Sequence, residues 1–305
     1  MATARGAHPG RPESSRSTVG WPPSGLRGLA RGRLFAWGAV VIVVLVVAVV
    51  IVVGETAGRS PDTKVATSVR YTARPVPASI LRAVTRVPAS AYDRVGLADA
   101  VVVPSVLAKA TPLAFTGKPG VFVLDGEFCP FCAAERWAVV TSLARFGTFS
   151  GLETMQSSPV DVDPRTQTFD FSTTTFKSPY ISAKLLEMYG QDRLTGRHRV
   201  IHEPSASEAA LLRRYDESAS IPFFDVGNKV VLSGSGFTPK FLSGLSRKTI
   251  AADLSDPSNP VTKLVLGASN YLSAGICAID GGQPAPVCES DGVRAAAAAL
   301  QRRHG

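Results

Sequence analysis

The stretch Val121–Arg136, VFVLDGEFCPFCAAER, constrains the fold more than any other. Val121-Phe122-Val123-Leu124 is an unbroken apolar run with the length and side chains of a buried strand. Asp125, Gly126 and Glu127 interrupt it, and Cys129-Pro130-Phe131-Cys132 follows. Ala133, Ala134, Glu135, Arg136 and Trp137, mostly good helix formers, come next. The CxxC therefore stands where a strand becomes the first turn of a helix. Unpaired N–H groups and the positive end of the helix dipole favour a thiolate over a thiol there. Pro130 suits that turn, because the donor it lacks has no partner there. One helical turn separates Cys129 from Cys132 and keeps their sulfurs close enough to bond. Such a placement points to redox chemistry. The competing reading is half of a zinc site, which needs a second close pair of ligands. Cys277 and Cys288 do not supply one, so neither a metal nor another cofactor is expected.

The chain has 305 residues, room for one large domain or two small ones. With 45% apolar and 19% charged residues it reads as globular. Net charge is +9, and its distribution decides what that means. Arg5, Arg11, Arg16, Arg27, Arg31 and Arg33 against Glu13 put +5 in residues 1–33. The remaining +4 is thinly spread, and no basic stretch is interleaved with aromatics, so nucleic acid is not an expected partner. His8, His198 and His304 neighbour no plausible ligand or nucleophile, and His202 beside Glu203 reads as a surface pair. No HExxH or GxSxG pattern is present.

Residues 1–33, rich in Arg, Gly, Pro and Ser, read as a disordered cytoplasmic tail. Leu34–Val53 is twenty residues without a charge. At 1.5 Å per residue it spans roughly 30 Å, one bilayer core. Its length and the long segment before it favour an uncleaved anchor over a cleaved signal. Arg27, Arg31 and Arg33 precede it and Glu55 follows, so the positive-inside rule sets the N-terminus in the cytoplasm. The expectation is a single-pass cell-membrane protein with its main domain outside the cytoplasm. Residues 54–76 form a polar tether, 77–293 the folded domain and 294–305 a C-terminal tail.

Within that domain, helical patterns fall around Ile80-Leu81-Val84 and Ala91-Tyr92-Val95, split by Pro88. Val101–Val103 before Pro104 reads as a short edge strand. Gly117–Gly120 reads as a turn feeding the Val121 strand. After the CxxC, Trp137, Val140, Leu143, Ala144 and Phe146 recur at helical spacing and predict a core-facing helix that ends at Gly147. Leu152–Gln156 reads as a strand, and Phe169, Phe171 and Phe176 as a β segment or hairpin. Tyr180–Tyr189 shows a short helix pattern. Ser205–Glu208 is a capping box opening a helix to about Tyr215. Ile221-Pro222-Phe223-Phe224 and Val230-Val231-Leu232 flank a Gly227-Asn228 turn, a hairpin signal. Helices are expected over Pro239–Leu245, with Thr238 as N-cap, and over Ser246–Leu254 and Pro260–Ala274. Val293–Leu300 is an Ala-rich helix former with a fraying end.

Cys277 and Cys288 enclose a loop containing Gly281, Gly282, Pro284 and Pro286. Outside the cytoplasm such a pair reads as a structural disulfide. Closing a loop of that size contributes roughly 2–3 kcal/mol. Four cysteines allow three connectivities. Pairing Cys129 with Cys132 and Cys277 with Cys288 is preferred, because the CxxC partners are already adjacent. A relay from Cys277 or Cys288 to Cys129 is the functional alternative.

Strand, CxxC helix, later Ile-Pro and hairpin follow the order of the thioredoxin fold. The thioredoxin signature Trp-Cys-Gly-Pro-Cys is absent; Phe128 stands for the Trp, and Pro130-Phe131 is closer to the Pro-Tyr of glutaredoxins. From about Val87 to Val293 the chain resembles membrane-anchored, thioredoxin-like proteins known as domain of unknown function 929. The resemblance is carried by EFCPFCAAERWAVV, LARFGTFSGL, SIPFFDVGNKVVLSG, LSDPSNPV and GICAIDGGQPAPVC. It implies an α/β thioredoxin-like fold, with extra C-terminal helices and an insertion around Phe169–Arg199, preceded by one transmembrane helix. It also implies that Pro222 is a cis-proline facing the CxxC and that Ile221 offers backbone to a bound peptide.

Two functions fit. In the first, the protein is an extracytoplasmic thiol–disulfide oxidoreductase acting on exported cysteine-containing proteins or a redox partner. Cys129 exchanges and Cys132, turned inward, resolves the mixed disulfide. Asp125 and Glu127 stand near for proton transfer, although the plainer reading has Glu127 solvated and Asp125 capping the turn. In the second, it is a non-enzymatic binding or structural module whose CPFC is a static disulfide.

Overall fold

The computed structural model describes residues 73–99, 101–191 and 198–302, which belong to the unit Ser68–Gly305. The expected tail, membrane helix and nearly all of the tether lie outside the described residues. Among the described residues, no helix is long and apolar enough to cross a membrane.

The elements in chain order begin with α1 (Ala78–Thr85), α2 (Ala89–Val95), β1 (Ser105–Val106), β2 (Ala114–Phe115) and β3 (Lys118–Gly126). Next come α3 (Pro130–Leu143), β4 (Thr148–Ser150), β5 (Glu153–Gln156), β6 (Gln167–Asp170) and β7 (Thr175–Lys177). Then follow β8 (Ser182–Gln191), β9 (His198–Val200), α4 (Ala206–Tyr215), β10 (Phe223–Val226) and β11 (Val230–Ser233). A 3-10 turn (Pro239–Leu242), α5 (Arg247–Asp253), α6 (Pro260–Ile279), α7 (Ala285–Cys288) and α8 (Asp291–Arg302) complete the chain.

The central sheet runs β1-β11-β10-β3-β8-β9, with β2 also paired to β3. Among the described residues only the β3–β8 pairing is parallel, so the sheet is mixed and the fold α/β. Strand period 2 sorts β3 between two layers. Val121 and Val123 enter the large core with Trp137 of α3 and Leu272 and Ile276 of α6. Phe122 and Leu124 enter a smaller core on the other face with Leu212 of α4, Phe223 and Met188. Both faces are covered, so the Val121–Leu124 run carries no polar alternation.

Several sequence expectations change. Tyr180–Tyr189 is mostly strand β8, not a helix, despite its helix-favouring residues. A buried β3 needs hydrogen-bond partners on the side away from β10, and Ser182–Tyr189 supply them. The segment lying off the central sheet is accordingly Thr148–Lys177, not Phe169–Arg199. It forms two small sheets, β4–β7 and β5–β6, so the three phenylalanines do not share one hairpin. The edge strand follows Pro104 instead of preceding it, and Val102 N–H donates to Gly236 O at 2.7 Å. The turn before β3 is Thr116-Gly117, both at positive φ as the tightest hairpins require, and Lys118 already pairs with Phe115. Pro239–Leu242 is a single 3-10 turn, shorter than the expected helix, while α6 runs on to Ile279. The C-terminal α8 buries Val293, Ala296, Ala299 and Leu300 against the large core.

The capping box at Ser205 and Glu208, the break at Pro88, and the N-caps Ser246 and Asn259 are formed as local chemistry dictates.

Candidate functional site

The CxxC lies at the C-terminal end of β3, as strand chemistry and Pro130 require. Cys129 is the N-cap of α3 and its sulfur accepts the Cys132 N–H at 3.2 Å. The Ile221 carbonyl lies 4.0 Å from the same sulfur. Ile221-Pro222 leads into β10, which pairs antiparallel with β3, so Phe223 stands opposite Leu124. That pairing brings the Ile221–Pro222 peptide, which is cis, beside Cys129. Gly126 leaves room for the Ile221 side chain, whose Cδ1 would stand 2.7 Å from a Cβ at that position. Cys129, Cys132, Ile221 and Pro222 are therefore brought together, with both CPFC sulfurs present as thiols.

Cys277 and Cys288 are joined in a disulfide elsewhere. Ile279, two residues past Cys277, packs on Gly227 at the far end of β10 from Pro222. The length of β10 separates the two cysteine pairs, so the fold does not set up a relay between them.

The two CPFC sulfurs differ in setting. The Cys132 side chain and backbone N–H hold the Cys129 thiol below its ordinary value, against the opposing effect of burial. Burial first, and then the bond to Cys129, push the Cys132 thiol well up. Cys129 is only 6% exposed and Cys132 fully buried, whereas Phe131 between them projects into solvent. Phe128 is stacked on His198 of β9 at a centroid distance of 3.4 Å, and its carbonyl accepts the Ser158 N–H.

Beneath Cys132 lies a charged cluster that reading residue by residue does not reveal. Asp125 and Glu187 are Cα partners on the parallel strands β3 and β8, and both face α3 with Val123 and Leu185. Arg136, one turn below Cys132 on α3, spans them. Its Nε stands 3.2 Å from Asp125 Oδ2, and its NH2 group donates to Glu187 Oε2 at 2.6 Å and to Gly126 O at 3.1 Å. All three side chains are excluded from solvent. Neither Asp125 oxygen has a well-formed hydrogen bond, and the Arg136 Nε contact is an ion pair without good hydrogen-bond geometry. Burial raises Asp125 to about 6, with Arg136 and the Cys132 thiol opposing it. Burial raises Glu187 to about 8, again against Arg136. Glu135 beside them is raised by burial to about 7, and its Oε2 accepts the Gly236 N–H at 2.7 Å.

Asp125 is thus a core carboxyl, not a turn cap. Glu127 is half-buried and accepts the Gln191 N–H at 2.8 Å, so it is not simply solvated. The overlooked residues are Arg136, Glu187 and Glu135. For Glu135 and Arg136 the signal is α3 itself: a helix with apolar residues on every side has no surface on which to place them, whereas Glu187 on β8 carries no local signal. No group of His, Cys, Asp and Glu among the described residues is arranged to hold a metal ion.

A βαβ-containing α/β fold with a helix-capping CxxC defines the class of architecture. Residues 105–278 match the family described as Domain of unknown function (DUF929), and the chain belongs to it. No curated protein and no solved structure gives a match.

Proposed function

We propose that the protein is a membrane-anchored, extracytoplasmic thiol–disulfide oxidoreductase of thioredoxin-like architecture. The observation that carries this reading is the asymmetry of the CPFC thiols: Cys129 is the N-cap of α3 and its sulfur accepts the Cys132 N–H, which favours its thiolate, while Cys132 is wholly buried and its thiol is pushed up by that burial. The strand order β8-β3-β10-β11, with β8 parallel to β3 and the other two antiparallel, supports the thioredoxin-like comparison. The cis Ile221–Pro222 peptide facing the thiol supports it too.

In this reading Cys129 thiolate attacks a partner disulfide, forming a mixed disulfide and releasing one partner thiolate. Cys132 then gives its proton to Asp125 and attacks Cys129 Sγ. The Cys129–Cys132 bond forms, the bond to the partner breaks, and its electron pair leaves on the partner sulfur. The partner is reduced by two electrons and the CPFC oxidised by two; the reverse sequence oxidises a partner dithiol. The low exposure of Cys129 favours the second reading, a binding module with an inert CPFC.

Trapping separates the two. Cys132→Ser should accumulate mixed disulfides between Cys129 and exported cysteine-containing proteins, whereas Cys129→Ser should not. An absence of adducts from both variants rejects the exchange role. The proposed topology, anchored by Leu34–Val53 with a cytoplasmic N-terminus, predicts activity from a C-terminal reporter that works only after export. Activity from a reporter that works only in the cytoplasm reverses it.

A further inference from the structure

Cover on the second face of the sheet stops short of the β2–β3 hairpin. Of α4, which lies over the smaller core, only Glu208 and Leu212 are buried. Between α4 and the hairpin a cleft of about 450 Å³ stays open. Clefts of about 300–1,000 Å³, apolar with a few placed polar groups, are the usual sites of small molecules. Here Leu113, Phe115 and Leu211 form the walls, each half-buried. Ser207, Leu211 and Arg214 recur at i, i+4 and i+7, so one face of α4 borders the cleft. Lys184 is the Cα partner of the core residue Phe122 and rises from the same face of the sheet.

We propose that this cleft binds a small amphipathic carboxylate, its apolar body against Leu113, Phe115 and Leu211 and its head on Lys184 and Arg214. The charges of the lining select that chemistry. Lys184 and Arg214 stand against one carboxylate, Glu208, which leaves a net +1. Glu208 is already engaged. Its Oε1 stands 3.2 Å from Lys184 Nζ, and its Oε2 accepts the Ser205 N–H and hydroxyl, each at 2.9 Å. An ammonium has three donors, so this pairing does not exhaust Lys184. The Phe115 ring, 4.7 Å from Nζ, sets the ammonium in place in advance. Arg214 makes no ion pair with a described residue, and its fork of donors matches a carboxylate in two parallel bonds. One anionic charge neutralises the lining, whereas a cationic head would add to its charge. Removing the apolar walls from water supplies the remaining affinity. The cleft lies on the opposite face of the sheet from α3, so the inference goes beyond the exchange role and does not rest on it.

The test is a ligand-observed NMR titration of full-length protein in phosphatidylcholine nanodiscs with naphthoate, with the signal from empty nanodiscs subtracted. Saturable one-to-one binding is expected. Naphthylmethylammonium, the same body with a cationic head, should not bind. Arg214→Gln should weaken naphthoate binding about tenfold, the loss expected for a hydrogen-bonded charge. Ala210→Trp, at the mouth of the cleft, should block it and abolish binding. Both positions are exposed, so neither change disturbs the core. An absence of saturable binding by the wild type overturns the inference. So does equal binding of the two probes, or full affinity in either variant. Cys129→Ser should bind naphthoate as the wild type does, so the exchange role and this site fail separately. A loss of binding in that variant would put the probe at the CPFC and overturn the inference.

Discussion

The two cysteine pairs occupy opposite ends of β10 and have opposite surroundings. Cys277 and Cys288 are bonded to each other across a Gly/Pro loop between α6 and α7, half-buried beside the large core. Cys129 caps, and Cys132 stands in the first turn of, a helix buried except at Phe131 that carries Arg136 between Asp125 and Glu187. The sulfur chemistry is the same at both ends. What differs is the setting: a helix N-terminus above a buried ion cluster at one end, chain closure at the other. A CxxC motif is thus only half of a redox site, and its neighbours decide whether it exchanges.

The sharpest way to break this comparison is covalent capture, described above, which should be all or none. Adducts through Cys277 or Cys288 would erase the distinction.

Removing the cation comes next. Arg136→Met leaves two buried carboxyls without their counter-charge and should cost about 3–5 kcal/mol at pH 8. Asp125 and Glu187 have raised values in the fold, to about 6 and about 8. Their protonated forms therefore favour folding, and that contribution is full near pH 4 and lost as pH rises through 6 to 8. The Arg136→Met penalty should shrink on acidification from pH 8 to pH 5. Denaturant unfolding at both values checks this; a penalty independent of pH would mean that the guanidinium acts through packing alone.

A smaller effect is expected in alkylation. In reduced protein near neutral pH, Cys129 should react on the order of 100-fold faster than Cys132, because only the thiolate is nucleophilic and only Cys129 is held below its ordinary value. Mass-spectrometric rates for each peptide measure it, and equal slow rates would favour the inert module.

Replacing Cys277 and Cys288 together by Ala should lower stability by about 2–3 kcal/mol with the CPFC exchange rate unchanged. A fall in exchange beyond that explained by unfolding would show that the two ends are coupled.

The difference between the pairs also explains what the sequence made legible. The strand, the Pro130 helix start, the Ser205 capping box and the Gly227-Asn228 hairpin are local, and the structure forms each of them. The Cys277–Cys288 bond was legible for the same reason, since its loop is short. Tyr180–Tyr189 reads as a helix from its sequence and folds as a strand because its helix propensity is local and its strand pairing is not. Arg136 and Glu187 are 51 residues apart in sequence and meet only through the β3–β8 register. Asp125 looked like a turn residue because the two residues after it, Gly126 and Glu127, suggest a turn; β3 in fact continues to Gly126.

The most direct test of the central claim is equilibration of the full-length protein across glutathione buffers, with both cysteine pairs read by mass spectrometry after acid quenching. The account predicts that Cys129–Cys132 passes reversibly between dithiol and disulfide at a potential between about −120 and −300 mV, while Cys277–Cys288 stays bonded throughout. A CPFC pair locked in one state across that range, or a Cys277–Cys288 bond that opens first, would contradict it.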